Sequence, residues 1–195
     1  MANTNILFQQ VTETLEQVAE KLQVELVLIV RNNPTHLRIE ASAGRLEKFY
    51  KVGAQQRKGS VFEEQHELYC EHLLNKALPY FFVRDSRIDP LWDGNEDEVV
   101  FGLINYLGYP IRDAQGKLFG TVCVLDTKPR DYSDEEKAAL QRLQQEAENA
   151  LRFKASRRTT HVPAPQLRAF QPLPTPLTPL KVEAMLTPST LARKS

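Results

Sequence analysis

Apolar residues follow a helical spacing near the start of the chain. Five apolar residues are separated by three or four positions and so share one helix face: Leu7, Val11, Leu15, Val18 and Leu22. Polar residues fill most other positions, so the segment is predicted to be an amphipathic helix with a buried stripe. The nearly continuous apolar run ELVLIVR follows, which is typical of a strand covered on both faces. Asn32, Asn33 and Pro34 predict a turn, and LRIEASAG after it reads as the hairpin partner.

A second and longer hairpin is predicted near the middle of the chain. The segment INYLGYPIRDAQGKLFGTVCVLD, from Ile104 to Asp126, contains two runs rich in Tyr, Ile, Val, Leu and Thr. Asp113 and Gly116 lie between the runs and favour a turn. Ahead of this hairpin we expect a helix from about Gln65 to Leu74 and a strand at YFFVRD after Pro79.

Helical periodicity returns after the long hairpin. Ser133 and Glu136 have the spacing of a capping box, which marks the start of a helix. The apolar stripe that follows consists of Leu140, Leu143, Ala147 and Leu151. Two helices are therefore predicted to bracket the sheet of the domain.

Two internal segments have no clear period. Gly53 and Gly59 interrupt residues 45–64, for which we expect loops and short irregular pieces. The acidic, turn-rich sequence from Asp85 to Glu98 is expected to form a loop at the mouth of the domain, before a short helix or strand entry at Val99.

Composition changes abruptly at Ala155. Seven of the twelve prolines lie beyond this point, with six Lys or Arg residues against one acidic residue. Such a segment cannot bury enough surface to offset its chain entropy, so residues 155–195 are predicted to be a disordered, Pro-rich basic tail. Residues 1–154 are predicted to form the domain. The scattered basic residues do not form the concentrated face that nucleic-acid binding requires.

Charge and cysteine content narrow the class of protein further. The chain has 25 basic and 25 acidic residues, and its two cysteines, Cys70 and Cys123, cannot build a disulfide framework. The N-terminal sequence lacks a signal peptide pattern, and no apolar run is long enough to span a membrane. We therefore expect a cytoplasmic protein without membrane contact. Phosphate-loop, GxSxG and HExxH motifs are absent from the sequence, and no metal site is predicted.

The strings YCEHLL, YLGYPI and FGTVCVLD carry a resemblance to a known family. Together with FVRDSRIDPLW they resemble the GAF domain, and the most similar examples belong to bacterial sensor histidine kinases and diguanylate cyclases. The resemblance covers roughly residues 5–154. It implies an α+β, PAS-like fold with a central, mostly antiparallel sheet of five or six strands. In this family the terminal helices lie on one sheet face and often pair with a second copy, while helices and loops form a ligand pocket on the other face.

Aromatic and polar residues near the implied pocket are the candidate ligand-binding residues. An aromatic surface suits a small planar ligand, and the aromatic candidates in this region are Tyr69, Trp92, Tyr106, Tyr109, Phe81 and Phe82. Asn105 and Thr121 would supply polar groups from the two central strands. Cys70 and Cys123 complete the predicted set. Ordinary core packing is the alternative interpretation of each of these side chains.

The cysteines also raise more specific chemistry. His66, Cys70 and His72 share one predicted helix, which leaves a metal corner, a haem ligand or an activated thiol as alternatives to structural packing. Phytochrome-like GAF domains attach a bilin through a cysteine followed by histidine, but Glu71 follows Cys70 here. Asn95 to Glu98 lacks the lysine and phenylalanine of the cyclic-nucleotide motif. The sequence thus gives no support for a covalent bilin, haem or cyclic nucleotide, and the cofactor stays unknown.

The resemblance implies a non-catalytic sensory or regulatory domain that binds a small molecule. Since no output domain is recognisable, the signal would pass through homodimer helices or through the Pro-rich tail to a signalling protein in trans. Two alternatives remain open from the sequence. One is a ligand-free dimerisation and interaction module, and the other is a thiol-dependent reductase of the free methionine sulfoxide type that uses both cysteines.

Overall fold

The computed structural model describes residues 3–4, 6–59 and 67–159. The strands are β1 Asn3–Thr4, β2 Leu26–Asn32, β3 His36–Ala43, β4 Gln55–Arg57, β5 Phe81–Val83, β6 Asn105–Arg112 and β7 Leu118–Asp126. The α-helices are α1 Thr12–Leu22, α2 Tyr69–Asn75, α3 Glu96–Phe101 and α4 Asp134–Thr159, and short 3-10 helices span Ile6–Val11 and Ser86–Ile88. Most of the predicted tail, residues 160–195, lies outside the described residues.

All strand pairs within the described residues are antiparallel, and they join into one sheet. The strand order is β1-β3-β2-β7-β6-β5, with β4 paired to β3. Both predicted hairpins are confirmed, since β2 pairs with β3 and β6 pairs with β7. The α+β, GAF-like fold class is confirmed as well. Among the described residues the sheet has seven strands rather than five or six, because the short strands β1 and β4 extend its β3 edge.

The sheet separates two hydrophobic cores. Along β2, Val27 and Ile29 pack into the core beneath α1 and α4, while Leu28 and Val30 pack into the core beneath α2. All four side chains are buried, which explains why this strand is an apolar run without alternation. The sequence prediction of a strand covered on both faces is therefore confirmed.

The terminal helices lie together on one face of the sheet, as predicted. Leu15 and Val18 of α1 and Leu140 and Leu143 of α4 are buried in the same core. The capping box forms: the Ser133 amide donates to Glu136 Oε2 over 2.7 Å, and the Glu136 amide donates to Ser133 Oγ over 3.3 Å. The first turn of the N-terminal helix differs from the prediction, since Ile6–Val11 is a 3-10 helix that leads into α1.

Several predicted boundaries move. Residues 45–64 contain the strand β4, because Gln55–Arg57 pairs with the start of β3. Helix α2 begins at Tyr69 rather than near Gln65, after an extended Leu68. Helix α4 continues to Thr159, so the change in composition at Ala155 falls within this helix. No helix within the described ranges is long and apolar enough to cross a membrane.

Candidate ligand-binding site

A cavity of about 230 Å³ lies on the sheet face opposite α1 and α4. Its floor is the sheet, which contributes Leu28 and Val30 from β2 and further apolar side chains from β3 and β7. Helices α2 and α3 and the segment from Phe49 to Gln56 form the walls. The cavity therefore lies where the resemblance to GAF domains implied a pocket, with mainly apolar walls around a few polar groups.

Tyr106 and Gly108 explain one of the sequence motifs at the back of this site. The side chain of Tyr106 on β6 lies across Gly108, and a Cβ at residue 108 would collide with the tyrosine hydroxyl. The Tyr106 ring stacks on Tyr69 of α2 with centroids 5.0 Å apart. The small residue in YLGYPI thus leaves room for an aromatic pair that joins α2 to the sheet.

The two cysteines meet beside this aromatic pair. Cys70 Sγ on α2 lies 3.7 Å from Cys123 Sγ on β7, and the Tyr106 hydroxyl donates to Cys70 Sγ over 3.4 Å. Both thiols are free and buried. Hydrogen bonding from Cys123 lowers the pKa of Cys70, whereas burial raises the pKa of Cys123 well above its usual range. Cys70 lines the cavity, and Cys123 lies beneath it.

Helix α3 brings two carboxyl groups to the other end of the cavity. Asn95 caps this helix by accepting from the Glu98 amide over 3.2 Å, and its Nδ2 donates to the Tyr69 hydroxyl over 2.6 Å. Glu96 and Asp97 follow directly in the first turn, and both line the cavity. The cap and its link to α2 therefore fix the position of the acidic side chains.

Asp97 is the main electrostatic feature of the site. The Tyr50 hydroxyl donates to Asp97 Oδ1 over 2.7 Å. Burial raises the pKa of Asp97 to about 6, with the Tyr50 hydrogen bond opposing the rise and the neighbouring Glu96 charge adding to it. Burial also raises the pKa of Tyr50 far above its usual value, so this tyrosine is a hydrogen-bond donor at neutral pH.

Glu96 completes the acidic end. Its Oε2 atom is buried and has no hydrogen-bond partner among the described residues. Buried carboxylate oxygens normally have partners, because leaving one unmatched is unfavourable. The rings of Tyr50 and Phe101 lie at the same end, with centroids 5.1 Å apart. The site thus combines acidic groups, aromatic faces and an apolar chamber.

The predicted site residues differ in where they lie relative to the cavity. Tyr69, Cys70 and Tyr106 line the cavity. Trp92 and Cys123 are buried behind it, with the Trp92 ring 5.1 Å from Tyr69. Thr121 is also fully buried, and its Oγ1 has no partner among the described residues.

Asn105 lies on the opposite side of the sheet, which corrects its prediction as a pocket residue. Its Nδ2 donates over 3.0 Å to the carbonyl oxygens of Val83, Arg84 and Arg130, and its Oδ1 accepts from the Tyr132 hydroxyl. Protein groups therefore use the whole amide. Tyr109 and Phe82 also pack on the side of α1 and α4, because strand alternation turns them away from Tyr106.

Of the two histidines near Cys70 in the sequence, His72 is the one that lies in the described part of the chain. The ring of His72 points to Glu67 Oε2, 2.9 Å away, and packs against Phe81 and Trp92. His66 lies outside the described residues, so the predicted pairing with Cys70 has no structural description. Among the residues that are described, no group of three or more His, Cys, Asp or Glu side chains is arranged to hold a metal ion.

Sequence reasoning missed the acidic end of the cavity. Tyr50 comes from a segment that has no periodicity, and Asp97 comes from the acidic segment predicted to be a loop at the mouth of the domain. A signal for α3 was present, since Asn95 precedes three acidic residues and Gly102 follows the helix at a positive φ of 68°. Nothing in the sequence indicated that Tyr50 would reach Asp97 across 47 positions.

The fold is shared with many solved GAF structures. A GAF domain from an Acinetobacter phosphoenolpyruvate-protein phosphotransferase superposes with a TM-score of 0.57 at 15% identity, covering 79% of this chain and 85% of the other. The phycocyanobilin-bound GAF domain of a cyanobacterial phytochrome gives 0.57 at 17% identity, covering 80% and 88%. These identities support a common fold and do not by themselves transfer a ligand.

A third solved relative is an enzyme. The free methionine-R-sulfoxide reductase of Neisseria meningitidis, in complex with its substrate, has a TM-score of 0.57 at 14% identity, covering 78% of this chain and 81% of the other. No curated protein sequence is significantly similar to this chain. The sequence profile of the GAF domain matches residues 8–151. Together with the sheet order and the position of the cavity, this match shows that the chain belongs to the GAF domain family.

Proposed function

We propose that this GAF domain is a non-catalytic sensory module that binds a small molecule in the cavity between the sheet and helices α2 and α3. The observation that carries the proposal is the cavity itself. Its volume of about 230 Å³ suits a compact ligand. The apolar walls favour burial of such a ligand, and the few polar groups would orient it.

The proposed signal runs through the sheet to the terminal helices. Leu28 and Val30 of β2 face the cavity, and their neighbours Val27 and Ile29 contact the core under α1 and α4. A ligand that moves this strand would thereby repack the helices, provided that it binds two conformations unequally. The proposed output is altered pairing with a second copy through these helices, or contact with a signalling protein through the Pro-rich tail.

The proposed setting is the cytoplasm. The chain has only two cysteines, Cys70 and Cys123, and so does not depend on a disulfide framework, which fits a reducing compartment. Ligand binding in that compartment would report on a soluble metabolite.

Native mass spectrometry of the full-length protein, purified gently from its own cells, tests ligand binding. The expected result is a stoichiometric small-molecule mass on the folded protein, released on denaturation. Ala54→Trp should abolish it, because Ala54 lies at the exposed rim of the cavity and a tryptophan there would obstruct the entrance. Ala114→Trp is the matched control, since Ala114 is exposed in the turn between β6 and β7. A bound mass that survives Ala54→Trp would contradict the proposed location.

A second candidate is a ligand-free dimerisation and interaction module. The observation in its favour is that part of the predicted aromatic pocket is filled by its own side chains: Trp92 packs on Tyr69, His72 and Phe81 with centroid distances of 5.1 Å each. This candidate predicts a ligand-free dimer whose assembly does not change in Ala54→Trp. The same mass measurement separates the two functions.

A further inference from the structure

The acidic end of the cavity points to a particular class of ligand, on the basis of the proposed function. Glu96 and Asp97 are adjacent in α3, and both line the cavity. No Lys, Arg or His is among the lining residues in the described part of the chain. Lys48 precedes the lining residues Phe49 and Tyr50 in the sequence, but its side chain is exposed. It lies over the ring of Phe49, which is itself 54% exposed. Two carboxyl groups in a largely apolar chamber therefore lack a basic side chain to balance them.

The hydrogen bonds of Glu96 and Asp97 also indicate that a positively charged donor is missing. Glu96 Oε2 is buried and has no donor among the described residues. Asp97 Oδ1 accepts a hydrogen bond from the Tyr50 hydroxyl. Because this donor is neutral, it does not balance the charge of the two carboxyl groups. An N–H group that carries positive charge would supply both the missing donor and the missing charge.

The aromatic side chains favour the same ligand. Tyr50 and Phe101 present rings at the acidic end, and cations bind to the faces of such rings. Leu28, Val30, Leu37 and Leu125 line the rest of the cavity and would bury an apolar body. An anionic ligand would meet two carboxyl groups and no balancing cation in the described lining.

We propose that the cavity takes a small organic ammonium compound, whose cationic N–H head is held by Glu96 and Asp97 and whose apolar body lies against the sheet. Carboxylates and aromatic faces at one end, with aliphatic side chains at the other, match such a molecule at both ends. The same arrangement disfavours nucleotides and carboxylic acids.

Three probes that share one phenylalkyl body test the inference: 2-phenylethylamine, 2-phenylethanol and 3-phenylpropionate. Isothermal titration calorimetry of the full chain at pH 7.5 should show the amine binding at least about tenfold more tightly than the alcohol, which corresponds to about 1.4 kcal/mol for a charged hydrogen bond. The anion should not bind. Equal binding of amine and alcohol, or preferential binding of the anion, would overturn the inference.

Matched variants locate the head group. Glu96→Gln and Asp97→Asn should each reduce the affinity for the amine by about tenfold or more and leave the affinity for the alcohol unchanged. Asp93→Asn is the control, because Asp93 is exposed in the preceding loop and does not line the cavity. An unchanged preference for the amine in both variants would refute the assigned head-group site.

The native mass measurement keeps this inference separate from the proposed function. A natural ligand that is released from the purified protein and carries no ammonium group would refute the inference and support the sensory function. If no natural ligand is found and no probe binds, both the inference and the sensory function are wrong.

Discussion

Asp97→Asn should stabilise the folded protein at neutral pH, and the gain should shrink as the pH falls. The carboxyl group of Asp97 lines the cavity, and burial raises its pKa to about 6 in the folded state. The titratable groups that interact with it are Tyr50 from the segment between β3 and β4, Glu96 from its own helix, Tyr69 and Cys70 from α2 and Cys123 from β7. An amide keeps an acceptor for the Tyr50 hydroxyl and removes the charge from this partly buried position.

The magnitude follows from the difference between folded and unfolded pKa values. Raising the pKa from 3.8 to about 6 makes ionised Asp97 destabilising by about 3 kcal/mol at pH 7.5. Because the folded-state pKa is the higher one, the folded protein holds its proton to higher pH than the unfolded chain does. Folding therefore becomes more favourable as the pH falls through this range, and the destabilisation declines to about 1 kcal/mol at pH 4.5.

Urea denaturation of ligand-free protein at pH 7.5 and pH 4.5 measures this effect. The stability difference between Asp97→Asn and the natural sequence should fall by about 2 kcal/mol between the two conditions. Asp93→Asn, at an exposed position, should show no comparable change. An equal difference at both pH values would refute the reasoning, because it would mean that the Asp97 carboxyl titrates alike in folded and unfolded chains.

Three other substitutions or treatments test the structure. Asn105→Ala should lower the free energy of unfolding by about 2–4 kcal/mol, because it removes the donor to three backbone carbonyls. Calorimetry of the folded variant should show an unchanged affinity for a ligand of the cavity. Gly120→Ala should cost about 1–3 kcal/mol in urea unfolding, since a Cβ would collide with the Val30 carbonyl, and unchanged stability would refute that packing. Mass spectrometry after limited iodoacetamide treatment should find Cys70 modified before Cys123, because only Cys70 lines the cavity; the reverse order would contradict the arrangement of the thiols.

The local elements were predictable because their signals are local. The stripe from Leu140 to Leu151 needs only a helical period, and the capping box of Ser133 and Glu136 needs only three residues of separation. The turn at Asp113 joins β6 and β7, where the Asp113 carboxylate accepts from the Gln115 and Lys117 amides. The arrangement of these elements in space was predicted from the family motifs, because periodicity alone does not indicate it.

The cavity chemistry depended on contacts between distant segments. Asn105 belongs to a motif that was predicted to face the pocket, yet strand alternation brings its amide to Val83 and Arg130 on the other side. Tyr50 and Asp97 come from segments without periodicity and meet only when α3 packs over the sheet.

The sequence by itself determined the two hairpins, the bracketing helices and the GAF family, because short-range periodicity, turn residues and family motifs encode them. Only the tertiary structure decided which polar groups face the cavity. Whether a carboxyl group lies in water or in a partly enclosed, mainly apolar cavity depends on chain segments that approach one another through folding, and this environment sets the pKa of Asp97.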